Sequence, residues 1–159
     1  MLRTADKTLS VMPPREHMET NKLVPELTVL DFQRAVQFYV EILGFHIEYR
    51  RTSPQFVYLN LESVQFMLEE IHGSAWITGE LTPPLGRGVN FQIEVSDLKP
   101  ILDRLAAAKH KLYREPREEW YSTANGIKGQ KQFLVQDPDG YLLRFAQYLG
   151  STSRQVFRP

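Results

Sequence analysis

Side-chain catalysis and metal binding need donors at spacings that a strand or a helix can bring to one point. The four histidines, His17, His46, His72 and His110, include no pair at the two-residue spacing of a strand face or the four-residue spacing of a helix face. They read as surface residues. There is no cysteine, which excludes thiolate metal sites, thiol nucleophiles and disulfides. Glu26 and Glu94 lie in strand-like runs, but nothing in the spacing fixes the geometry that paired-carboxylate acid–base catalysis needs. Gly86-Arg87-Gly88 is too short to read as a phosphate cradle. The aromatic residues say more. Trp76, Trp120 and Tyr121 stand in segments rich in glycine, proline and polar residues, where they either stack on a planar heterocycle or anchor a loop on a sheet edge. Glu115, Glu118 and Glu119 surround Arg117 beside Trp120, forming either an acidic rim for a cationic ligand or a solvated charge run.

The elements that position these residues form a repeat. Residues 23–49 and 89–113 share one layout: a strand-like run, an aspartate, an amphipathic helix and a second strand, with Asp31 and Asp97 standing 66 positions apart. Asp31 suits a helix N-cap, because its carboxylate accepts the free amides of the first turn. Phe32, Val36, Tyr39, Val40 and Leu43 follow at helical spacing, and Gly44 stands where a left-handed C-cap is needed. Strands are expected over 23–30, 45–51, 55–61 and 64–71 in the first half. In the second half they are expected over 89–95, 111–114, 131–136 and 141–148, with a long segment 115–130 read as a loop. Asp137-Pro138-Asp139-Gly140 is a hairpin signal: proline presets φ at the second turn position and glycine accepts a positive φ.

The chain therefore divides into an arm (1–22), a first βαβββ module (23–72), a linker (73–88), a second βαβββ module (89–149) and a tail (150–159), an α+β architecture. The arm is expected to be a flexible tail or, as the alternative, to dock on a partner subunit, and Met12 and Met18 offer alternative starts. A chain of 159 residues with 19 basic and 19 acidic side chains has no net charge to attract nucleic acid or an anionic membrane. It has neither a membrane-length apolar run nor the apolar core of a signal peptide. A cytoplasmic protein is the expectation.

Val29-Leu30-Asp31, Phe38-Tyr39 and Leu43-Gly44-Phe45, taken with Phe133 to Tyr141 around the hairpin, resemble the vicinal oxygen chelate superfamily over residues 23–149. That superfamily comprises glyoxalases, dioxygenases and bleomycin-resistance proteins. The resemblance implies two pseudo-symmetric modules of curved mixed sheet. Its enzymes carry metal ligands at places that correspond here to Val24, about Met67, Asn90 and Arg144. These residues do not make a site for a catalytic divalent cation, since valine offers no donor and arginine is a permanent cation. The resemblance is closest to the bleomycin-resistance proteins, through Val24-Pro25, Leu27-Thr28 and Asp31 and through Phe38-Tyr39. It implies a metal-free homodimer without a cofactor that sequesters a glycopeptide antibiotic in an interface cleft, rather than an enzyme. The ligand-binding residues are then expected to be Phe38, Tyr39, Trp76, Asn90, Glu118, Trp120, Tyr121 and Arg144. Arg144 either pairs with Glu26 or Glu94 or anchors an anionic ligand. A lyase- or dioxygenase-like enzyme and a binder of an unknown planar metabolite are the alternatives.

Overall fold

A computed structural model describes residues 19–124 and 126–153. Much of the flexible arm expected over 1–22 and most of the tail lie outside the described residues. The first module runs β1 (Glu26–Val29), α1 (Phe32–Gln37), a π-helical turn (Phe38–Leu43), β2 (His46–Thr52), β3 (Gln55–Leu61) and β4 (Val64–Glu70). The second runs β5 (Asn90–Glu94), α2 (Lys99–Ala107), β6 (Leu112–Thr123), β7 (Gly126–Gln136) and β8 (Leu142–Ser153). Each module is a four-stranded sheet, in the orders β1-β4-β3-β2 and β5-β8-β7-β6. In each, the first strand lies parallel to the last and the others pair antiparallel. The two βαβββ modules expected from the repeat are therefore present. No helix among the described residues is long and apolar enough to cross a membrane.

Local chemistry sets the helix limits. Asp31 accepts the Arg34 amide at 3.0 Å, as its N-cap role requires. The first helix does not continue as a plain α-helix; it widens into the π-helical turn, where the amides of Gly44 and Phe45 both reach the Tyr39 carbonyl. Gly44 closes it at φ 90°. Its Cβ-less face is needed a second time, because a methyl there would come within 2.6 Å of Arg104 Nη2. Arg104 of α2 donates to the carbonyls of Ile42 and Leu43 at 2.8 and 2.9 Å, satisfying groups that the end of the first helix leaves free. Arg104→Met keeps the stem and removes both bonds. It is expected to lower unfolding stability by ~2–3 kcal/mol in urea denaturation, whereas a loss below ~0.5 kcal/mol would show that water replaces the guanidinium.

One apolar core serves both modules. Leu27, Val29, Val57, Leu59, Phe66 and Leu68 from the first sheet meet Ile93, Phe133, Val135, Leu143 and Phe145 from the second, with both helices in the same cluster. A sheet that buries alternate residues in a shared core turns the others away from it. The outer faces thus carry Glu26, Thr28, Phe56, Tyr58, Gln65, Met67 and Glu69 on one sheet, and Gln92, Glu94, Gln130, Gln132, Leu134, Arg144 and Tyr148 on the other.

The modules are also tied reciprocally. The β3–β4 turn holds Glu62 and Ser63 at positive φ, and Glu62 accepts the Ser96 amide and hydroxyl at 2.7 and 3.0 Å. The β7–β8 turn sends Asp139 to the Leu30 amide at 3.2 Å. Leu30 and Ser96 occupy the same place in the repeat, one residue before Asp31 and Asp97.

The segment expected to be a loop over 115–130 is instead a long hairpin of β6 and β7. Pro116 does not prevent this, because β6 is an edge strand and its ladder shifts register between Arg114 and Arg117. β8 likewise extends past residue 148 to Ser153, paired to β7 along the hairpin. The first strand is shorter than the expected 23–30 and begins only after Pro25.

Candidate ligand-binding site

The outer face of the second sheet gathers the most ligand-like chemistry. Arg144, on central strand β8, is the register partner of Gln92 and donates to its Oε1 from Nη2 at 2.6 Å. Neither Glu26 nor Glu94 pairs with it, and among the described residues no carboxylate lies within ion-pairing distance. Its Nε–H is buried with no hydrogen-bond partner among the described residues. Beside it runs an amide chain: Gln130 Nε2 donates to Gln132 Oε1 at 2.8 Å, and Gln132 Nε2 donates to the Tyr121 hydroxyl at 2.9 Å. Tyr121 and Tyr148, both exposed, flank this polar strip.

The outer face of the first sheet is acidic and aromatic. Glu69 receives Arg51 at 3.4 Å and His72 at 3.2 Å. Burial, reinforced by Glu69, raises the Glu26 carboxyl above its usual range. The Tyr49 ring stacks on Phe56 and Tyr58 at centroid distances of 5.7 and 5.2 Å, and the Arg51 guanidinium lies 3.8 Å over Phe56. Tyr58 donates to Gln65 Oε1 at 2.8 Å, and the same oxygen takes the Asn21 amide at 2.8 Å.

The places that correspond to metal ligands do not fit a divalent cation. Val24 has no donor atom, and Met67 carries only a weak thioether acceptor. Asn90 is an exposed neutral amide at the start of β5, and Arg144 brings a guanidinium. Among the described residues no group of three or more histidines and carboxylates is placed to hold a metal ion.

The structure separates the other site residues expected from sequence. Phe38 and Tyr39 do not reach an outer face; both are buried in the shared core, with their rings edge-on at 5.8 Å, and Phe38 lies 4.7 Å from the His110 ring. Tyr39 thus lies on the apolar face that the helical spacing marks, with Phe38 buried beside it. Trp76 stands in the linker at 94% exposure, away from any sheet face. Trp120 and Tyr121 are neighbours on β6, so they point to opposite faces. Tyr121 joins the amide chain, while Trp120 lies flat over Gly129 on the other side. Glu118 is exposed on that other side too, whereas Glu119 pairs with Arg117 at 2.7 Å. Sequence reasoning passed over Gln130, Gln132 and Tyr148, and marked Gln92 only as an amide on an alternating strand face. Their signal was the alternation of amides with buried residues along β5 and β7.

Tyr39 serves a buried carboxylate instead of a ligand. Its hydroxyl donates to Asp137 Oδ2 at 3.1 Å, while Asp137 Oδ1 accepts the Asp139 and Tyr141 amides at 3.0 and 2.8 Å. Burial pushes Asp137 up to about 6 despite these bonds, and pushes Tyr39 well above the usual phenol value. Beside Asp137 opens a hollow of about 510 Å³, lined by Arg34, His110, Lys111 and Tyr113. A second hollow, about 470 Å³, lies between Glu62 and Tyr148. Neither is lined by Arg144 or Gln92, although Glu94 and Tyr148 of the same outer face line the second.

The model of the Glyoxalase/Bleomycin resistance protein/Dioxygenase superfamily matches residues 20–145. A member of that superfamily from Vibrio splendidus 12B01 is 40% identical over 78% of this chain and 95% of its own, with a TM-score of 0.37. TioX from Micromonospora sp. ML1 is 22% identical at TM-score 0.63, covering 81% of this chain and 99% of its own. Virulence protein STM3117 from Salmonella typhimurium is 20% identical at TM-score 0.58, covering 83% and 100%. The likeness to the last two is one of fold. No curated protein matches the chain.

Proposed function

The chain belongs to the glyoxalase/bleomycin resistance protein/dioxygenase superfamily, and we propose that within it this protein binds a small planar molecule without a metal. The observation that carries the reading is Arg144 hydrogen-bonded to Gln92 at one of the metal-ligand places. A permanent cation there repels a second cation, while the surrounding amides and tyrosines suit orientation and stacking of a ligand. Each outer face is only one wall of a cleft. A second copy of the chain supplies the opposite wall, and the exposed Tyr121 and Tyr148 on the outer face of the second sheet mark the surface it faces.

Sequestration of a glycopeptide antibiotic of the bleomycin kind is a second reading. It is favoured by the first sheet, where Glu26 and Glu69 would attract a cationic ligand and Tyr49 offers a half-exposed ring for a planar tail. Titration of metal-analysed protein in EDTA tests both readings, with 2-naphthoate and metal-free bleomycin as probes and heat and tryptophan fluorescence as readouts. Saturable binding of either probe at one per subunit is expected. Binding or turnover that appears only after a divalent metal is restored would overturn the proposal. So would the absence of any binding at roughly 100 μM of either probe, an affinity weaker than about −5.5 kcal/mol.

A further inference from the structure

We propose that Arg144 anchors an anionic group, a carboxylate or another oxyanion, on the ligand that the outer face of the second sheet receives. This rests on the reading of that face as a ligand site and names the class of molecule it takes. The guanidinium has five N–H donors in a planar fork and no way to discharge. Here one of its nitrogens donates to a neutral amide, Gln92 Oε1, at 2.6 Å. Its Nε–H is buried and unpartnered among the described residues. The guanidinium faces no carboxylate among the described residues. The Nη–H groups left over from the Gln92 bond can take the two oxygens of a carboxylate or another oxyanion, the two-point contact for which the fork is shaped.

Gln92 completes the receptor. Its Oε1 is occupied by Arg144, so its amide nitrogen is the end left to donate. Oriented by the guanidinium, that nitrogen presents a further donor on the exposed face of β5. Tyr121 and Tyr148, on the same outer face, provide rings against which the body of a planar ligand can lie.

Three probes with one ring system isolate the charge: 2-naphthoate, 2-naphthalenemethanol and 2-naphthylmethylammonium. Affinities are measured by titration in chloride-free buffer, and the Arg144 Nε–H resonance is followed by ¹⁵N NMR. The expected result is naphthoate binding at least tenfold tighter than the alcohol, with a downfield shift of the Nε–H. Arg144→Gln is expected to abolish the preference, so that naphthoate binds no more tightly than the alcohol. Gln92→Glu keeps the arginine and supplies an internal carboxylate at the same 2.6 Å contact. It is expected to remove naphthoate binding at least as completely while retaining or raising the melting temperature, so a folding defect in Arg144→Gln cannot decide the matter. Equal affinities for the anion and the alcohol would overturn the assignment while leaving the ligand face intact, as would naphthoate binding untouched by both substitutions. Tighter binding of the ammonium probe would overturn it in favour of a cationic ligand. Failure of all three probes would overturn the face as a ligand site and the assignment with it.

Discussion

Asp137→Asn is expected to raise unfolding stability at pH 7 by up to ~3 kcal/mol, and to remove a fall in stability expected of the native protein as pH rises from about 4 to 7. The carboxyl is 4% exposed at the junction of the modules, and burial raises it from 3.8 to about 6. In that interval the folded chain holds a proton that the unfolded chain has released, so stability falls as pH rises. Above about 6 both states are ionised and the full cost of about two pKa units remains, roughly 3 kcal/mol. Asparagine carries no charge to desolvate. Its oxygen can still accept the Asp139 and Tyr141 amides, and its nitrogen can donate to the Tyr39 hydroxyl in place of the present bond. The check is urea denaturation of both proteins at half-unit steps from pH 4 to 8. A native protein whose stability climbs through that window, with a variant weaker at pH 7, would mean that the three hydrogen bonds outweigh burial.

The second large effect is steric. Gly140 adopts φ +99° at the tip of the β7–β8 hairpin, and a methyl group there would overlap Pro84 Cβ and lie 2.7 Å from Pro84 Cα. The linker passes directly over the turn and docks on it through the Leu85 amide, which donates to the Asp139 carbonyl at 2.8 Å. Gly140→Ala therefore combines a disfavoured dihedral angle with an overlap that only backbone movement relieves, a loss of ~3–5 kcal/mol. Gly88 separates the two terms. Its φ is +92°, but no atom lies within 4 Å of the added carbon. Gly88→Ala should thus show the dihedral penalty alone, about 1–2 kcal/mol. Equal losses for the two variants in thermal or urea unfolding would show that the linker yields freely and that the hairpin does not hold it.

Legibility from sequence followed locality. Asp31, Gly44 and the Asp137–Gly140 turn are read from a few adjacent residues, and each does in the structure what its chemistry requires. The paired modules followed from the spacing of such signals. The continuation of β6 past residue 114 was missed because an edge strand running beyond the core is polar on both faces, so neither a period of two nor an apolar face marks it. Tyr39 lies on the apolar face that the helical spacing marks, and Phe38 is buried beside it; the resemblance, and not the spacing, assigned both to a ligand. The role of Gln92 was missed for a different reason. Its importance lies in facing Arg144 across a parallel pair of strands 52 residues apart in sequence, a register that no local pattern encodes.

The reciprocal ties between the halves bear on how such a chain can diverge. In each, the acceptor is a side-chain carboxylate, Glu62 or Asp139, but the shared donor is a main-chain amide, at Ser96 or Leu30. A peptide N–H is supplied by every residue except proline. A leucine and a serine therefore serve equally at the two donor places, although their side chains have nothing in common. Selection needs to preserve one acid at each hairpin tip and merely to exclude proline from the receiving position. Repeated halves joined this way can drift far apart in sequence while each remains docked to the other.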